Sequence, residues 1–300
     1  MLTTTLLLGV TLWSWLVQSV HGGAGNKWTY VDNTLGPENW YTVFPFCGGQ
    51  QQSPIEVISE LVVPGHDLVD FNLSELNNTK GVTMIIANVG GHTVQVALGG
   101  KPIYITGGGL GGRFRVEQFH FHWGNKNERG SEHAIDGLFY PMEMHIVLYN
   151  DMHPNFTSAV HETKGLAVLA FFFKVGQVNK GMFKILRHFS SIKFSGANKP
   201  IVAFPIAALL PKKINSWFRY DGSLTTPPCS ESVRWTLFKD EISISHSQMK
   251  AFRKLLRNIQ GQQNMILVDN YRPLQELNKR KVYTNLKFQS VGNKNSNQLE

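Results

Sequence analysis

Cysteine is scarce. The 300-residue chain has two, Cys47 and Cys229, so at most one intramolecular disulfide can form. In an oxidising compartment such an isolated pair is the simplest bridge, and two buried thiols are the alternative. Charge is sparse too: 17% of residues are charged against 42% hydrophobic, a globular composition and not a disordered one. No apolar stretch of bilayer-spanning length follows the N-terminal run. Internal repeats, low-complexity linkers and a break between domains are absent. H-E-x-x-H and G-x-S-x-G are also missing, which removes the anchors for common zinc-protease and serine-hydrolase readings. There is no acidic repeat of the sort that binds calcium.

The N-terminus carries a short apolar run, Leu6 to Val17, followed by Gly22, Gly23 and Ala24. The run is short for a membrane span and small residues follow it, so residues 1–22 read as a secretory signal peptide with an approximate cleavage site. No Lys or Arg precedes the run, and an N-terminal membrane anchor is the alternative. Three sequons, at Asn72, Asn77 and Asn155, are glycosylation candidates in a secreted, extracellular chain. The expected organisation is one domain over 23–285 and a polar tail over 286–300. Stable membrane insertion and a nucleic-acid partner are not expected. Net charge is +8. Lys250, Arg253, Lys254 and Arg257 read as the solvated face of an amphipathic helix whose other face is Met249, Phe252, Leu255, Leu256 and Ile259, with binding to an anionic surface as the weaker alternative.

Twenty-eight glycines and thirteen prolines favour many turns and a sheet-rich fold. Alternation predicts strands over Thr83–Ala87, His92–Leu98, Arg113–Trp123 and Glu143–Tyr149. The run LAVLAFFFKV at 166–175 predicts a strand buried on both faces. Helices are expected over Lys180–Phe189 and Ser247–Ile259. Gly107 to Gly112 satisfies G-x-G-x-x-G, but the alternating Arg113 to Gln118 follows where a dinucleotide fingerprint needs a helix. A turn between strands is the better reading.

The chemistry concentrates in QFHFHWG at 118–124. On a strand His120 and His122 share a face with Gln118, while Phe119, Phe121 and Trp123 point into a core. A second strand pattern places Glu143, His145 and Val147 on one face. Three histidines with an open fourth position have the composition of a catalytic zinc site, and Gln118 and Glu143 are candidate acceptors for ring N–H groups. Satisfied core histidines remain the alternative on spacing alone.

These segments resemble the α-class carbonic anhydrases. The matching stretches are GPENW at 36–40, QSPIEV at 52–57, GHTVQV at 91–96, QFHFHWG at 118–124, SEHAID at 131–136, MEMHIVLYN at 142–150, GLAVL at 165–169, GSLTTPP at 222–228 and NYRP at 270–273. The resemblance implies an α+β fold with a large twisted, mostly antiparallel central sheet and short peripheral helices. It implies one Zn2+ on His120, His122 and His145, and reversible hydration of carbon dioxide to bicarbonate and a proton by zinc-bound hydroxide.

Residue roles follow from the same resemblance. Thr225 would accept a hydrogen bond from that hydroxide and donate its own to Glu132. Thr226 would contact bicarbonate. Val147, Val168, Leu224, Val233 and Trp235 would form the apolar wall for carbon dioxide. His92 would shuttle protons, a role suited to an imidazole that titrates near neutral pH, with Tyr30 and Gln95 ordering water nearby. The family's Asn-Asn before Gly-His is here Val89-Gly90. Secreted relatives share the Cys47–Cys229 disulfide, and the family has cis bonds at the positions of Pro54 and Pro228. A non-catalytic binding module on the same fold is the competing reading, and retention of the three histidines, Thr225 and Glu132 weighs against it. Association with an extracellular matrix or mineral and the oligomeric state are not specified by the sequence.

Overall fold

A computed structural model describes residues 28–286. The signal peptide expected at 1–22 and the tail beyond Leu286 lie outside the described residues. In chain order the strands are β1 (Glu56–Val57), β2 (Val63–Pro64), β3 (Phe71–Asn72), β4 (Val82–Val89), β5 (Thr93–Gly100), β6 (Tyr104–Gly107), β7 (Phe114–Trp123), β8 (Ala134–Ile135), β9 (Met142–Asn150), β10 (Leu166–Val175), β11 (Asn198–Ile201), β12 (Trp217–Gly222), β13 (Val233–Ile244) and β14 (Tyr283–Thr284). The helices are short: α1 (Trp40–Val43), α2 (Phe156–Ala159), α3 (Phe183–Leu186) and α4 (His246–Phe252).

A 12-stranded sheet runs in the order β11-β4-β5-β7-β9-β10-β13-β12-β14-β2, with β6 paired to β7 and β3 to β6. Its pairings are antiparallel except β10 with β13 and β14 with β2. The large, mostly antiparallel sheet and short peripheral helices expected from the sequence are therefore present.

Each face of the sheet carries its own core. On one face Phe119, Phe121 and Trp123 of β7 pack with Met144 and Ile146 of β9 and with the α3 and α4 segments. On the other, Val147, Val168, Val233 and Trp235 pack together. Strand β10 feeds both cores, odd positions to one and even positions to the other, which is why it is apolar from Leu166 to Phe173, before the exposed Lys174.

Strand β7 departs from simple alternation. Phe114 and Val116 face the same core as Phe119, Phe121 and Trp123, so the parity changes between them. The β7–β9 register shifts between Val116 and Gln118, leaving Glu117 as the extra residue of a bulge. From Gln118 onward the bulge turns the even-numbered residues to the opposite face.

Two helices are shorter than expected. The segment Lys180–Phe189 holds only the single turn α3. Helix α4 starts at a capping box made by Ser245 and Gln248 and ends at Phe252. Beyond it Leu256 donates its N–H to Lys193 O, and the chain leaves the helical path. Leu255 and Leu256 are still buried, but Ile259 is 55% exposed and not part of an apolar helix face. The basic face is corrected as well. Arg253 donates to Gly124 O, and Arg257 to Ile266 O and Val268 O, so both guanidinium groups hold backbone instead of facing only water. Residues 108–113 are a turn between β6 and β7, as read from the sequence.

Candidate metal centre

Register builds the site. Across the sheet Gln95 of β5 pairs with His120 of β7, and His120 pairs with His145 of β9. The adjacent row runs Ala97, Gln118, Val147, Val168 and Trp235 through five strands. Histidines and apolar residues thus stand side by side on one face. Candidate ligand atoms of His120, His122 and His145 lie within 4.8 Å of one another, and His92 is outside this group.

Each imidazole is anchored through one nitrogen. His120 Nδ1 is 2.8 Å from Gln118 Oε1. His122 Nδ1 is 2.7 Å from the carbonyl oxygen of Asn270. His145 Nε2 is 2.6 Å from Glu143 Oε1. These partners accept, so each anchored nitrogen carries the proton and the other nitrogen keeps its lone pair. His122 Nε2 is buried and has no hydrogen-bond partner among the described residues. An orphaned neutral imidazole nitrogen beside two further histidines fits a metal ligand set, and nitrogen ligands of this kind suit zinc. Burial lowers the His122 pKa, and His145 adds to the effect against the opposing pull of Glu132 and the Asn270 carbonyl. The neutral, ligating form is favoured.

Behind the histidines lies a buried polar chain. Glu143 Oε1 also accepts from His133 Nδ1 at 2.7 Å, and Glu143 Oε2 accepts the N–H groups of Glu132 and His133. Burial alone would raise the Glu143 carboxyl, but His133 and His145 hold it well below the ordinary carboxylate range. His133 Nε2 contacts the Tyr220 hydroxyl at 2.6 Å, and that hydroxyl donates to Ser53 Oγ. The sequence indicates His133 only as structural, and it gives no sign of Asn270 or Tyr220 in this setting. Asn270 lies 148 residues from His122, and no local periodicity links them.

Glu132 is fully buried, and its Oε1 accepts the Arg272 N–H at 2.9 Å. Its Oε2 lies 3.5 Å from His122 Nε2 and has no hydrogen-bond partner among the described residues. The Thr225 hydrogen bond implied by the resemblance is therefore not made through this oxygen. Thr225 is buried and Thr226 is partly exposed, in a loop closed by the Cys229 N–H bond to Thr226 O. Trp235 sets its ring edge-on to His145 at 4.8 Å, and Leu224 packs against the same apolar cluster as Val147, Val168 and Val233.

His92 lies in the turn between β4 and β5. Its ring stacks on Trp28 at 3.9 Å, with Tyr30 edge-on at 6.1 Å. Burial and then the Glu132 carboxylate push the Tyr30 phenol pKa well up, so it stays a neutral donor. Gln95 is buried. Cys47 and Cys229 are bonded, with Cα atoms 4.9 Å apart, and the bonds before Pro54 and Pro228 are cis. Asn72, Asn77 and Asn155 are exposed, and Asn155 also caps α2 by accepting the Ser158 N–H.

Comparison with known proteins agrees with this geometry. Residues 35–286 match the profile described as eukaryotic-type carbonic anhydrase. The chain is 36% identical to carbonic anhydrase 1 of Monodelphis domestica over 267 residues, covering 88% of this chain and 100% of the relative. It is 35% identical to carbonic anhydrase 12 of Homo sapiens over 264 residues, covering 87% of this chain and 73% of the relative. With the match extending across almost every described residue, the chain belongs to the eukaryotic-type carbonic anhydrase family of enzymes.

Proposed function

We propose that the chain is a secreted zinc enzyme interconverting carbon dioxide and bicarbonate. The observation that carries this reading is the histidine group: three imidazoles, each anchored by an acceptor, with the buried His122 Nε2 left without a partner. His120, His122 and His145 would hold the ion through His120 Nε2, His122 Nε2 and His145 Nδ1. Zinc, when bound there, supplies the Lewis acidity that makes water a usable nucleophile near neutral pH.

The protein's own groups do the rest. Gln118, Glu143 and the Asn270 carbonyl fix the imidazole tautomers. Glu132 offers a buried acceptor oxygen beside His122, and Thr225 can bridge from it to the reacting oxygen. Val147, Val168, Leu224, Val233 and Trp235 receive a small apolar substrate that needs exclusion of water more than hydrogen bonds. Thr226 contacts the product. His92 carries the proton outward, with Tyr30 and Gln95 orienting water. Secretion is supported by the Cys47–Cys229 disulfide, which persists in oxidising compartments, and by the exposure of the three sequon asparagines.

Stopped-flow carbon dioxide hydration with metal analysis on the same sample tests the reading. Wild-type protein is expected to carry one zinc and to be active. His145→Ala is expected to lose more than about 100-fold in zinc affinity, since even outer partners of such ligands cost about 10–100-fold. Full zinc retention with an unchanged rate in His145→Ala would overturn the ligand assignment.

A further inference from the structure

Charge is distributed unevenly along the chain. Between Glu162 and Asp221 there is no acidic residue, and ten Lys and Arg occur. Between Glu241 and Asp269 there is again none, with four Lys and Arg. These two stretches hold fourteen of the chain's 29 basic residues and none of its 21 acidic ones.

The fold packs parts of the two stretches together. Asn179 and Gln248 exchange two hydrogen bonds, Leu256 N–H donates to Lys193 O, and Ser195 N–H donates to Asn258 O. Phe189 meets Phe252 edge-on at 4.8 Å. Met182, Ile185, Phe189, Met249 and Phe252 all enter the core that also holds Phe119 and Phe121. That core lies on the sheet face opposite the three histidines. The outer side of this layer therefore points away from the metal centre.

Several of the fourteen charges are already engaged. Arg219 is buried, Lys164 and Lys174 pair with Asp221 and Glu241, and Arg253 and Arg257 hold backbone carbonyls. Lys180, Lys184, Lys193, Lys250 and Lys254 are exposed and form no ion pair among the described residues, and the exposed Arg187 donates its Nε–H to Phe183 O but likewise has no acidic partner there. Lys199 and Arg187 lie close enough to His188 to help lower its pKa, after the larger effect of burial. An uncompensated single-sign surface of this kind creates a potential that attracts polyanions.

We infer that the outer side of the α3 and α4 layer is a docking surface for a linear sulfated polysaccharide. The disulfide places the chain in an oxidising compartment, where such chains are the available polyanions and nucleic acid is not. A bilayer is disfavoured because Ile185 of α3 and Met249 and Phe252 of α4 are used in the core, and Phe183 is the one large apolar side chain of the two helices left exposed, too little to insert. Spaced lysine point charges on an open surface suit repeated sulfate groups without a cleft. Because the surface lies behind the sheet, occupancy leaves the metal centre open. The inference rests on the secreted reading proposed above and not on the catalytic one.

The test is binding of the full chain to immobilised heparin, with desulfated heparin, phosphatidylserine vesicles and duplex DNA in parallel. Lys184→Glu/Arg187→Glu/Lys193→Glu/Lys254→Glu is compared with the charge-matched Lys126→Glu/Lys239→Glu/Lys279→Glu/Lys281→Glu. The first variant is expected to weaken heparin binding by about tenfold or more, and the second by less than about threefold, with binding falling as salt rises. Thermal midpoint and hydration rate report folding, and Gln at the same four positions replaces Glu if the first variant fails to fold. Equal losses in the two variants would reduce the effect to net charge and overturn the inference. So would equal binding to desulfated heparin, or vesicles or DNA bound as tightly as heparin.

Discussion

Burial and an Asn270 carbonyl act on opposite ends of the His122 ring. One disfavours the imidazolium, and the other places the remaining proton on Nδ1. Glu143 is set in the opposite sense, as an anion kept charged by two histidines despite its burial. The two shifts have the same consequence for stability. His122 titrates below its ordinary 6.5 and Glu143 below its ordinary 4.5, so in both cases the unfolded chain binds protons first. Stability is therefore complete above those unfolded values and is lost as pH falls toward the folded ones. Metal-free protein is expected to show a falling urea midpoint from pH 7 to pH 5, and a further fall below pH 4.5. A midpoint that stays level or rises over this range would contradict these assignments.

At the scale of elements, the turn between β4 and β5 decides where His92, the proposed proton carrier, sits. Gly91 has φ +73°, and a Cβ there would collide with Arg257 O, so the turn admits only glycine. Gly90 has φ +59°, a conformation that asparagine tolerates, but a Cβ would come within 2.9 Å of His92 Cδ2. Gly90→Asn is thus expected to move the His92 ring off Trp28 while leaving zinc content unchanged. Unchanged indole fluorescence and proton-transfer rate in that variant would show that Gly90 does not shape the stack. His92→Ala is expected to slow turnover in weak buffer by a factor on the order of ten or more, with imidazole restoring part of the loss, because a diffusing base can replace a tethered one. Stopped-flow rates across buffer concentrations read this directly, and a rate indifferent to both mutation and buffer would give the proton another route.

The disulfide acts on the whole molecule. It closes a loop of 182 residues and ties the segment carrying Trp28, Trp40 and Phe44 to the loop that follows Thr225. Arg272 joins the same region, donating to Cys47 O, Ser53 O and Gln52 Oε1 while its backbone N–H holds Glu132. Replacing both cysteines by serine is expected to cost about 2–5 kcal/mol of stability. Chemical denaturation measures it, and a midpoint within error of wild type would refute the role.

Side-chain alternation is a local property of a strand, so the shared face of His120 and His122 and the opposed Phe119, Phe121 and Trp123 were legible in seven residues. The doubly buried β10 and the single cysteine pair were legible for similar reasons of pattern and count. The pairing of His120 with His145 was not, because register depends on how whole strands pack; the consecutive polar Glu117 and Gln118 interrupt the alternation, but only the pairing with β9 identifies Glu117 as the bulged residue. Nor could the sequence show the carbonyl that turns His122 or the indole that holds His92. Those contacts span 148 and 64 residues, and only tertiary packing, including the separate small cluster of Trp28, Trp40 and Phe44, brings such distant groups within hydrogen-bond or stacking distance.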